Sequence, residues 1–172
     1  EDTGTMVTFH PDPEIFQVTT VYKYDTLAGR LRELAYLNKG IHLSLTDRRT
    51  LVNDVDENGN ELETQHYRSD VFYSKEGLRE FVDYLDGGAE KLIESPIYLE
   101  TDKIIPIEIA LQYNTSYTEK IYSYVNNINT IEGGTHLQGF KMGLTRTLKN
   151  YADKQGMLAK LKFDLAADDF RE

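Results

Sequence analysis

Cysteine is absent from this chain of 172 residues. Its absence excludes thiol catalysis, zinc sites built from thiolates and any disulfide framework. A chain without disulfides relies on its core, and this length is enough for one ordinary domain. Because proteins of a reducing compartment carry few disulfides, the composition fits the cytosol, and we expect a cytoplasmic protein.

Long apolar runs are missing as well. A membrane-spanning helix needs roughly 20 consecutive apolar residues, and no segment of the sequence approaches that length. The first residues lack the basic stretch followed by an apolar one that is typical of an export signal. Internal repeats and low-complexity tracts are also absent from the sequence. We therefore predict a protein that neither crosses a membrane nor is exported.

The charge balance is acidic, with a formal net charge of −10 at pH 7. Such an average argues against a surface that binds nucleic acid everywhere, because polyanions are attracted by clustered Lys and Arg. The charges are unevenly spread, however. The stretch from 53 to 63 is acidic without one basic residue, through Asp54, Asp56, Glu57, Glu61 and Glu63. The stretch from 139 to 162 has Asp153 as its one acid, against Lys141, Arg146, Lys149, Lys154, Lys160 and Lys162. One face can therefore be basic on a protein that is acidic overall.

The first half of the sequence predicts a strand, a helix and a hairpin. Thr5 to His10 has the β-branched and aromatic content of a strand, which the following Pro-Asp-Pro would end. Leucine and alanine recur every three or four residues between 25 and 38, and Gly40 supplies a left-handed stop to that helix. Extended sequence from Ile41 to Tyr73, interrupted by Asn58-Gly59, predicts a hairpin with an acidic tip.

The next segments predict a helix and a pair of strands. Ser74 is expected to cap a helix that stops at Gly87-Gly88. Every second residue from Ile105 to Tyr113 is apolar or aromatic, which predicts a half-buried strand. Asn114 to Tyr117 would turn the chain, so that Glu119 to Val125 returns as the partner strand.

A long helix is predicted to open at Gly133-Gly134 and to end near Gly156, with one apolar face. Strands and helices do not alternate regularly along the chain. The pattern therefore favours an α+β fold in which helices stack on one side of a sheet.

Residues that could perform catalysis or bind a metal are few. His136, at the start of the long helix, lacks a serine or carboxylate partner fixed by spacing, so a capping or packing role is favoured over proton transfer. The other histidines lack the spacing of a zinc site. Gly133-Gly134-Thr135 could offer backbone N–H groups to an anion, although a tight turn is favoured. We assign no catalytic and no metal-binding residue.

The basic residues of the long helix do not share one face. At about 100 degrees per residue, Lys141 and Arg146 lie roughly 140 degrees apart. Arg146, Lys149 and Asp153 follow one another at spacings of three and four, which is typical of an ordinary mixed-charge surface. Spacing alone favours a solvated helix.

Several stretches resemble one known family. They are TGTMVTFHPDPEIF, YDTLAGRLRELAYLNKGI, IEIALQYN, the long block IYSYVNNINTIEGGTHLQGFKMGLTRTLKNYADKQGML and the final DDFRE. Together they resemble the B subunits of bacterial DNA gyrase and topoisomerase IV over nearly the whole chain. The resemblance implies that residues 1–13 hold the last strand of a GHKL-type ATPase domain with its linker. It implies that residues 14–172 are a transducer domain, with a ribosomal protein S5 domain 2-like sheet covered by helices and continuing beyond Glu172.

The resemblance also implies where the nucleotide binds. Thr3-Gly4-Thr5 matches the family's TGT element, whose second threonine lies by the adenine, so Thr5 is the one expected ATP-binding residue of this chain. ATP and Mg²⁺ would be bound by the full-length enzyme through residues that precede Glu1. We therefore expect no ATP hydrolysis by this chain alone.

As a transducer, the chain would couple ATP binding and hydrolysis to DNA strand passage and negative supercoiling. Its implied partners are double-stranded DNA, the gyrase A subunit, and a second B subunit in the ATP-bound state. The family's basic residue after GTHxxGF, an arginine, corresponds to Lys141 and would contact DNA phosphate in the cavity. Two alternatives stay open: a topoisomerase IV B transducer, and a stand-alone α+β interaction module. A hydrolase using His136 lacks supporting partner residues.

Overall fold

A computed structural model describes residues 3–116, 118–161, 163 and 165–171, with the backbone alone at position 160. The chain divides into two units, Glu1–Ala35 with Ile41–Tyr73, and Tyr36–Gly40 with Ser74–Glu172. Within the described ranges, helices accompany strands that pair as three two-stranded antiparallel sheets, which confirms the α+β class. No helix in those ranges is both long and apolar enough to cross a bilayer.

The predicted strand from Thr5 to His10 is wrong. These residues form no regular secondary structure and pair with no strand among the described residues. Met6 is 91% exposed, Val7 77% and Phe9 73%. Strand propensity reflects packing against neighbours, and without a pairing partner the β-branched and aromatic side chains do not make a strand. The first hydrogen-bonded feature is a turn in which the Phe16 N–H donates to the Asp12 carbonyl at 2.8 Å.

The first helix, α1, runs from Tyr24 to Leu37 and confirms the prediction of a helix over 25–38. In the first unit it buries Tyr24, Ala28 and Ala35 against Phe72. Burial of Phe72, which is 6% exposed, contributes roughly 1.5–3 kcal/mol. Gly40 has a φ of 87°, the left-handed conformation expected of the residue that stops the helix.

The predicted hairpin is confirmed as β1 (Leu43–Val55) and β2 (Glu61–Phe72). Gly59 adopts a φ of 83° at its tip, where the Asp56 N–H donates to the Asn60 carbonyl at 2.9 Å. The Asp56 carboxylate accepts from the Asn60 side chain and from the Asn60 and Asn58 N–H groups, which lowers the pKa of Asp56. The acidic tip is therefore a turn whose central carboxylate is already bound by the chain itself.

A bulge interrupts β1 between Asp47 and Leu51. There Arg49 folds back onto Asp47, with Nε 2.8 Å from Oδ1. Hydrogen bonds from the Arg49 side chain and backbone lower the pKa of Asp47 to about 2. Arg68 lies 3.9 Å from the ring centre of Tyr24, whose hydroxyl donates to Asp70 at 2.8 Å. Arg49 and Arg68 of the hairpin are thus engaged with local carboxylates and rings.

The second helix, α2 (Leu78–Asp86), begins four residues later than its predicted cap. Gly77 precedes it directly, and Ser74 instead anchors the loop: its hydroxyl accepts from the Gly77 N–H at 2.8 Å and donates to Glu80 Oε2 at 2.9 Å. Glu80 Oε1 accepts from the N–H groups of Lys75 and Glu76. The Glu80 carboxylate, inside the helix, therefore binds the loop that precedes it. At the other end, Gly87 terminates α2 in the left-handed conformation, as expected.

The strand predicted from Ile105 to Tyr113 is shorter, as β4 (Ile107–Leu111), and its predicted partner is wrong. It pairs with β3 (Ile97–Thr101), which the sequence analysis missed. The expected partner, Glu119 to Val125, contributes β5 (Tyr124–Val125), which forms a tight hairpin with β6 (Ile128–Asn129). Alternating residues identify a strand, but they do not identify the segment that pairs with it.

The long helix is confirmed as α3 (Thr135–Lys154), and Gly156 follows it with a φ of 67°. Single 3₁₀ turns follow at Leu158–Lys160 and Asp168–Phe170. Three positions used in the predictions lie outside the described residues: Tyr117, Lys162 and Glu172.

Replacing Ser74 by Ala should destabilise the second unit. Ser74 is 1% exposed, and its loss leaves the buried Gly77 N–H without an acceptor. We expect the free energy of unfolding, measured by urea titration, to fall by about 1–3 kcal/mol. Ser69→Ala is the matched control, because the Ser69 hydroxyl bonds Thr46 on an exposed surface, where changes stay within about 0.5 kcal/mol. Equal losses in the two variants would contradict the anchoring role of Ser74.

Candidate functional site

At the start of α3, the backbone of Gly134 lies close to the imidazole ring of His136. A Cβ on Gly134 would lie 2.7 Å from Cε1 of His136, so a side chain at position 134 would displace the ring. Gly133 has a φ of 78°, and its N–H donates to the Thr130 carbonyl at 2.7 Å. The tight turn favoured for this motif is therefore present, and packing accounts for both glycines.

His136 contacts hydroxyl groups rather than a carboxylate. Its Nε2 lies 3.2 Å from Thr130 Oγ1, and that oxygen lies 2.6 Å from Ser123 Oγ. The Thr130 hydroxyl also bonds the Ser123 carbonyl at 2.9 Å. In the described ranges no carboxylate orients the imidazole, and its contact with Thr130 ties the start of α3 to the β5–β6 hairpin.

Lys141, the residue expected to contact DNA, lies in the second turn of α3 and forms an ion pair. Its Nζ is 2.8 Å from Glu119 Oε1, and its side chain is 32% exposed. Arg171 Nε lies 3.4 Å from the same oxygen, and the Arg171 side chain is 9% exposed. One carboxylate thus serves two cations. Spacing alone could not have revealed this, because Glu119, Lys141 and Arg171 belong to three separate segments.

The Glu119 carboxylate is ionised in this setting. Burial by itself would raise the pKa of Glu119, but the hydrogen bond and charge of Lys141, together with the charge of Arg171, outweigh it and lower that pKa. Arg171 also donates to Thr145 Oγ1 at 3.2 Å and to the Ala167 carbonyl at 2.9 Å, and it pairs with Asp168. The cluster of Glu119, Lys141 and Arg171, called here the ionic cluster, fastens α3 to the segments on either side of it.

A tyrosine two residues after β4 adds a second attachment for the last turn. The Tyr113 hydroxyl donates to the Phe170 carbonyl at 2.7 Å, and burial raises the pKa of Tyr113. Thr145 Oγ1 also bonds the Ala167 carbonyl at 3.3 Å. Phe170 and Arg171 of the segment that resembles the family's DDFRE motif are therefore bound to Tyr113, just after β4, and to α3.

Thr5, the residue expected to contact ATP, lies apart from these groups in sequence, in the segment before the first turn. Its side chain is exposed. One hydroxyl on an exposed segment does not form a nucleotide pocket, and the part of the chain that is described contains no group of three or more His, Asp or Glu that could hold a metal. The roles of Thr5 and Lys141 stay predictions.

Comparisons with known proteins identify the family. The family model for DNA gyrase B matches residues 77–172. The B subunit of DNA gyrase from Cytophaga hutchinsonii is 58% identical to this chain. The matched region covers 98% of this chain and 33% of that protein. The corresponding protein of Clostridium acetobutylicum, also a DNA gyrase B subunit, is 47% identical over 100% of this chain, and 25% of it is covered. The chain thus spans a third or less of the length of these relatives.

Solved structures give the same result. The 43K ATPase domain of Thermus thermophilus gyrase B, solved with an aminocoumarin, matches with a TM-score of 0.72 at 31% identity, over 94% of this chain and 40% of that one. The gyrase B subunit of Myxococcus xanthus matches with a TM-score of 0.66 at 20% identity. The match covers 83% of this chain and 36% of that one, and it shows likeness of fold alone. Because the family model covers more than half of the sequence, the chain belongs to the DNA gyrase B family.

Proposed function

We propose that this chain is the transducer segment of a DNA gyrase B subunit, which couples ATP binding and hydrolysis to DNA strand passage and negative supercoiling. The observation that carries the proposal is the 58% identity to a gyrase B subunit over 98% of the chain. The chain covers 40% of a gyrase B ATPase fragment, which fits a segment that contributes only part of a nucleotide site.

Nucleotide binding is proposed for the full-length enzyme, where ATP and Mg²⁺ would be held chiefly by residues outside this chain. Thr5 would contribute one hydroxyl near the adenine. The division into residues 1–13 of the ATPase domain and residues 14–172 of the transducer domain stays part of the proposal. The proposed partners are duplex DNA, the gyrase A subunit, and a second copy of the B subunit. The proposed location is the cytoplasm.

The ionic cluster indicates how such a segment could respond to DNA. Lys141 is one-third exposed, so a phosphate oxygen can approach its ammonium group from the solvent side. Contact with phosphate would compete with Glu119 for the same charge, whereas the nearly buried Arg171 would keep Glu119 in place. Binding of DNA would thus open the ion pair between Lys141 and Glu119. Arg171 would still pair with Glu119 and hold its own segment in place.

Two alternatives are not favoured. A topoisomerase IV B transducer shares the motifs, but the high-identity relatives are named as B subunits of DNA gyrase. A stand-alone interaction module would not require 47% identity to a gyrase B protein over the whole chain. We therefore propose that the chain belongs to a gyrase B subunit.

The chain alone should not bind or hydrolyse ATP. Thr5 by itself cannot supply the contacts to the phosphates and the metal that ATP requires. Isothermal titration with ATP and Mg²⁺ should show no saturable binding, and a phosphate-release assay should show no turnover. The full-length protein serves as the positive control. Turnover by the purified 172-residue chain would overturn the transducer assignment.

Replacing Lys141 by Glu should impair DNA coupling more than ATP hydrolysis itself. The change removes the cation proposed to contact phosphate and places a second carboxylate beside Glu119. In the full-length enzyme we expect DNA-stimulated ATPase and supercoiling activity to fall, while basal ATPase without DNA changes little. Lys141→Arg is the control that retains the charge. Equal loss of basal and DNA-stimulated activity would contradict a DNA contact at this position.

Replacing Glu119 by Gln should strengthen the contact between Lys141 and DNA. The variant removes the intramolecular competitor of phosphate, and a partly exposed ion pair is worth about 0.2–1 kcal/mol, so we expect about a one-and-a-half- to fivefold rise in duplex affinity. Fluorescence anisotropy with a labelled duplex measures the change. Adding Lys141→Gln to Glu119→Gln should abolish the gain. A gain that persists in the double variant would show that Glu119 does not act through Lys141.

A further inference from the structure

The tip of the β1–β2 hairpin holds the only asparagine of the sequence that is followed by glycine, Asn58-Gly59. Both residues are exposed. Among the residues that the structure describes, the Asn58 side chain has no hydrogen-bond partner. The neighbouring Asn60, in contrast, donates from its side-chain amide to Asp56 at 2.9 Å. The Asn58 amide can therefore turn towards the backbone of Gly59.

Gly59 leaves the space beside its own nitrogen open. It has no side chain, and a Cβ built on it would meet no atom beyond its chain neighbours within 4 Å. Its φ of 83° lies in the left-handed region that favours glycine, so the turn itself requires glycine here. A backbone nitrogen that no side chain shields is accessible to the amide carbon of the preceding asparagine. Asn58 is therefore placed to lose its amide more easily than an asparagine that precedes a bulkier residue.

We propose that Asn58 is a site of spontaneous deamidation, at a rate that Asp56 restrains. The Gly59 nitrogen forms a bond with Cγ of Asn58, the bond between Cγ and Nδ2 breaks, and the proton of the Gly59 N–H leaves with the amide nitrogen as ammonia. Water then opens the resulting succinimide ring. Breakage of the bond to Cγ yields aspartate, and breakage of the main-chain bond yields isoaspartate. The reaction needs no reactant besides water, and it is independent of the proposed transducer function.

Asp56 restrains the reaction through its backbone and its side chain. Its carbonyl accepts the Gly59 N–H at 3.0 Å, and its carboxylate accepts the N–H groups of Asn58 at 2.9 Å and Asn60 at 2.8 Å. The first bond holds the proton that the attack must remove, and the carboxylate bonds hold the turn in one conformation. Because backbone hydrogen bonds on an exposed tip open locally, Asp56 slows the reaction without preventing it.

Deamidation changes both the charge and the main chain of the hairpin tip. The Asp56 N–H donates to the Asn60 carbonyl at 2.9 Å and closes the turn around positions 57–59. Isoaspartate at position 58 adds a carbon atom to the main chain inside that turn. Either product also adds a negative charge to a stretch, from 53 to 63, that has no basic residue. Because like charges repel, the modified tip is less favourably closed than the unmodified one.

Peptide mass spectrometry of the purified full-length protein follows the reaction. The folded protein is incubated at neutral and at mildly alkaline pH, and samples taken over time are digested. The Asn58 peptide should gain the mass difference between an amide and an acid, and it should split into separate aspartate and isoaspartate peaks. Its rate should rise with pH, because the deprotonated nitrogen attacks. The exposed Asn126 and Asn150 precede residues with side chains, so these internal controls should react more slowly.

Variants test the chemistry and the restraint separately. Asn58→Gln should largely stop the modification of this peptide, because the longer side chain closes a less favourable ring. Asp56→Ala removes the carboxylate that holds the turn, so the Asn58 rate should rise by about two- to tenfold, the factor that one typical hydrogen bond contributes. Asp54→Ala is the matched control. It removes an equal charge from the same strand end, but Asp54 pairs with His66 and does not contact the turn, so the rate should stay near that of the unchanged protein.

An Asn58 peptide that reacts no faster than the Asn126 and Asn150 peptides would overturn the proposed modification. A reaction that requires unfolding of the protein in urea would overturn it as well, because the folded tip would then exclude the attack. Equal Asn58 rates in Asp56→Ala, Asp54→Ala and the unchanged protein would reject the restraint by Asp56. None of these results bears on the transducer proposal.

Discussion

The carboxylate of Glu119 is the interaction on which the arrangement around α3 depends. Arg171 is 9% exposed, and a guanidinium so nearly buried requires acceptors on several sides. Glu119, Asp168 and the Ala167 carbonyl supply them, while Lys141 shares the Glu119 oxygen from the helix. Removing the carboxylate would leave one nearly buried cation short of a partner and one exposed cation released. The position of the last described turn and the ion pair of Lys141 are thus coupled through one side chain.

The proposed contact with DNA requires an acidic protein to present its cations locally. With a net charge of −10, long-range attraction to a polyanion is unfavourable, so contact must come from local patches. Along α3 the cations fall into two classes. Lys141 is paired with Glu119, whereas Arg146, Lys149 and Lys154 form no ion pair with the residues that the structure describes.

The elements set by local sequence were the predictable part of the fold. The helices α1 and α3 and the hairpin tip at Gly59 follow from periodicity and from glycines that adopt positive φ. Pairing was not predictable, because it depends on segments that are distant in sequence: β4 joins β3, and the segment at Thr5 joins no described strand. The site divides in the same way. Family motifs pointed to Lys141, but its partner Glu119 became visible only when the fold brought separate segments together.

Lysine at position 141, where the family resemblance suggests arginine, is consistent with an exchangeable contact. An arginine beside Glu119 could bind both carboxylate oxygens through its planar fork, and such a bidentate pair is held more strongly. Lysine instead makes a single close approach, 2.8 Å to Oε1, on a partly exposed surface where ion pairs are worth at most about 1 kcal/mol. A phosphate can displace such a partner at small cost. The weakness of the pair is therefore compatible with the role that we propose for Lys141, in which its ammonium group exchanges between Glu119 and a DNA phosphate.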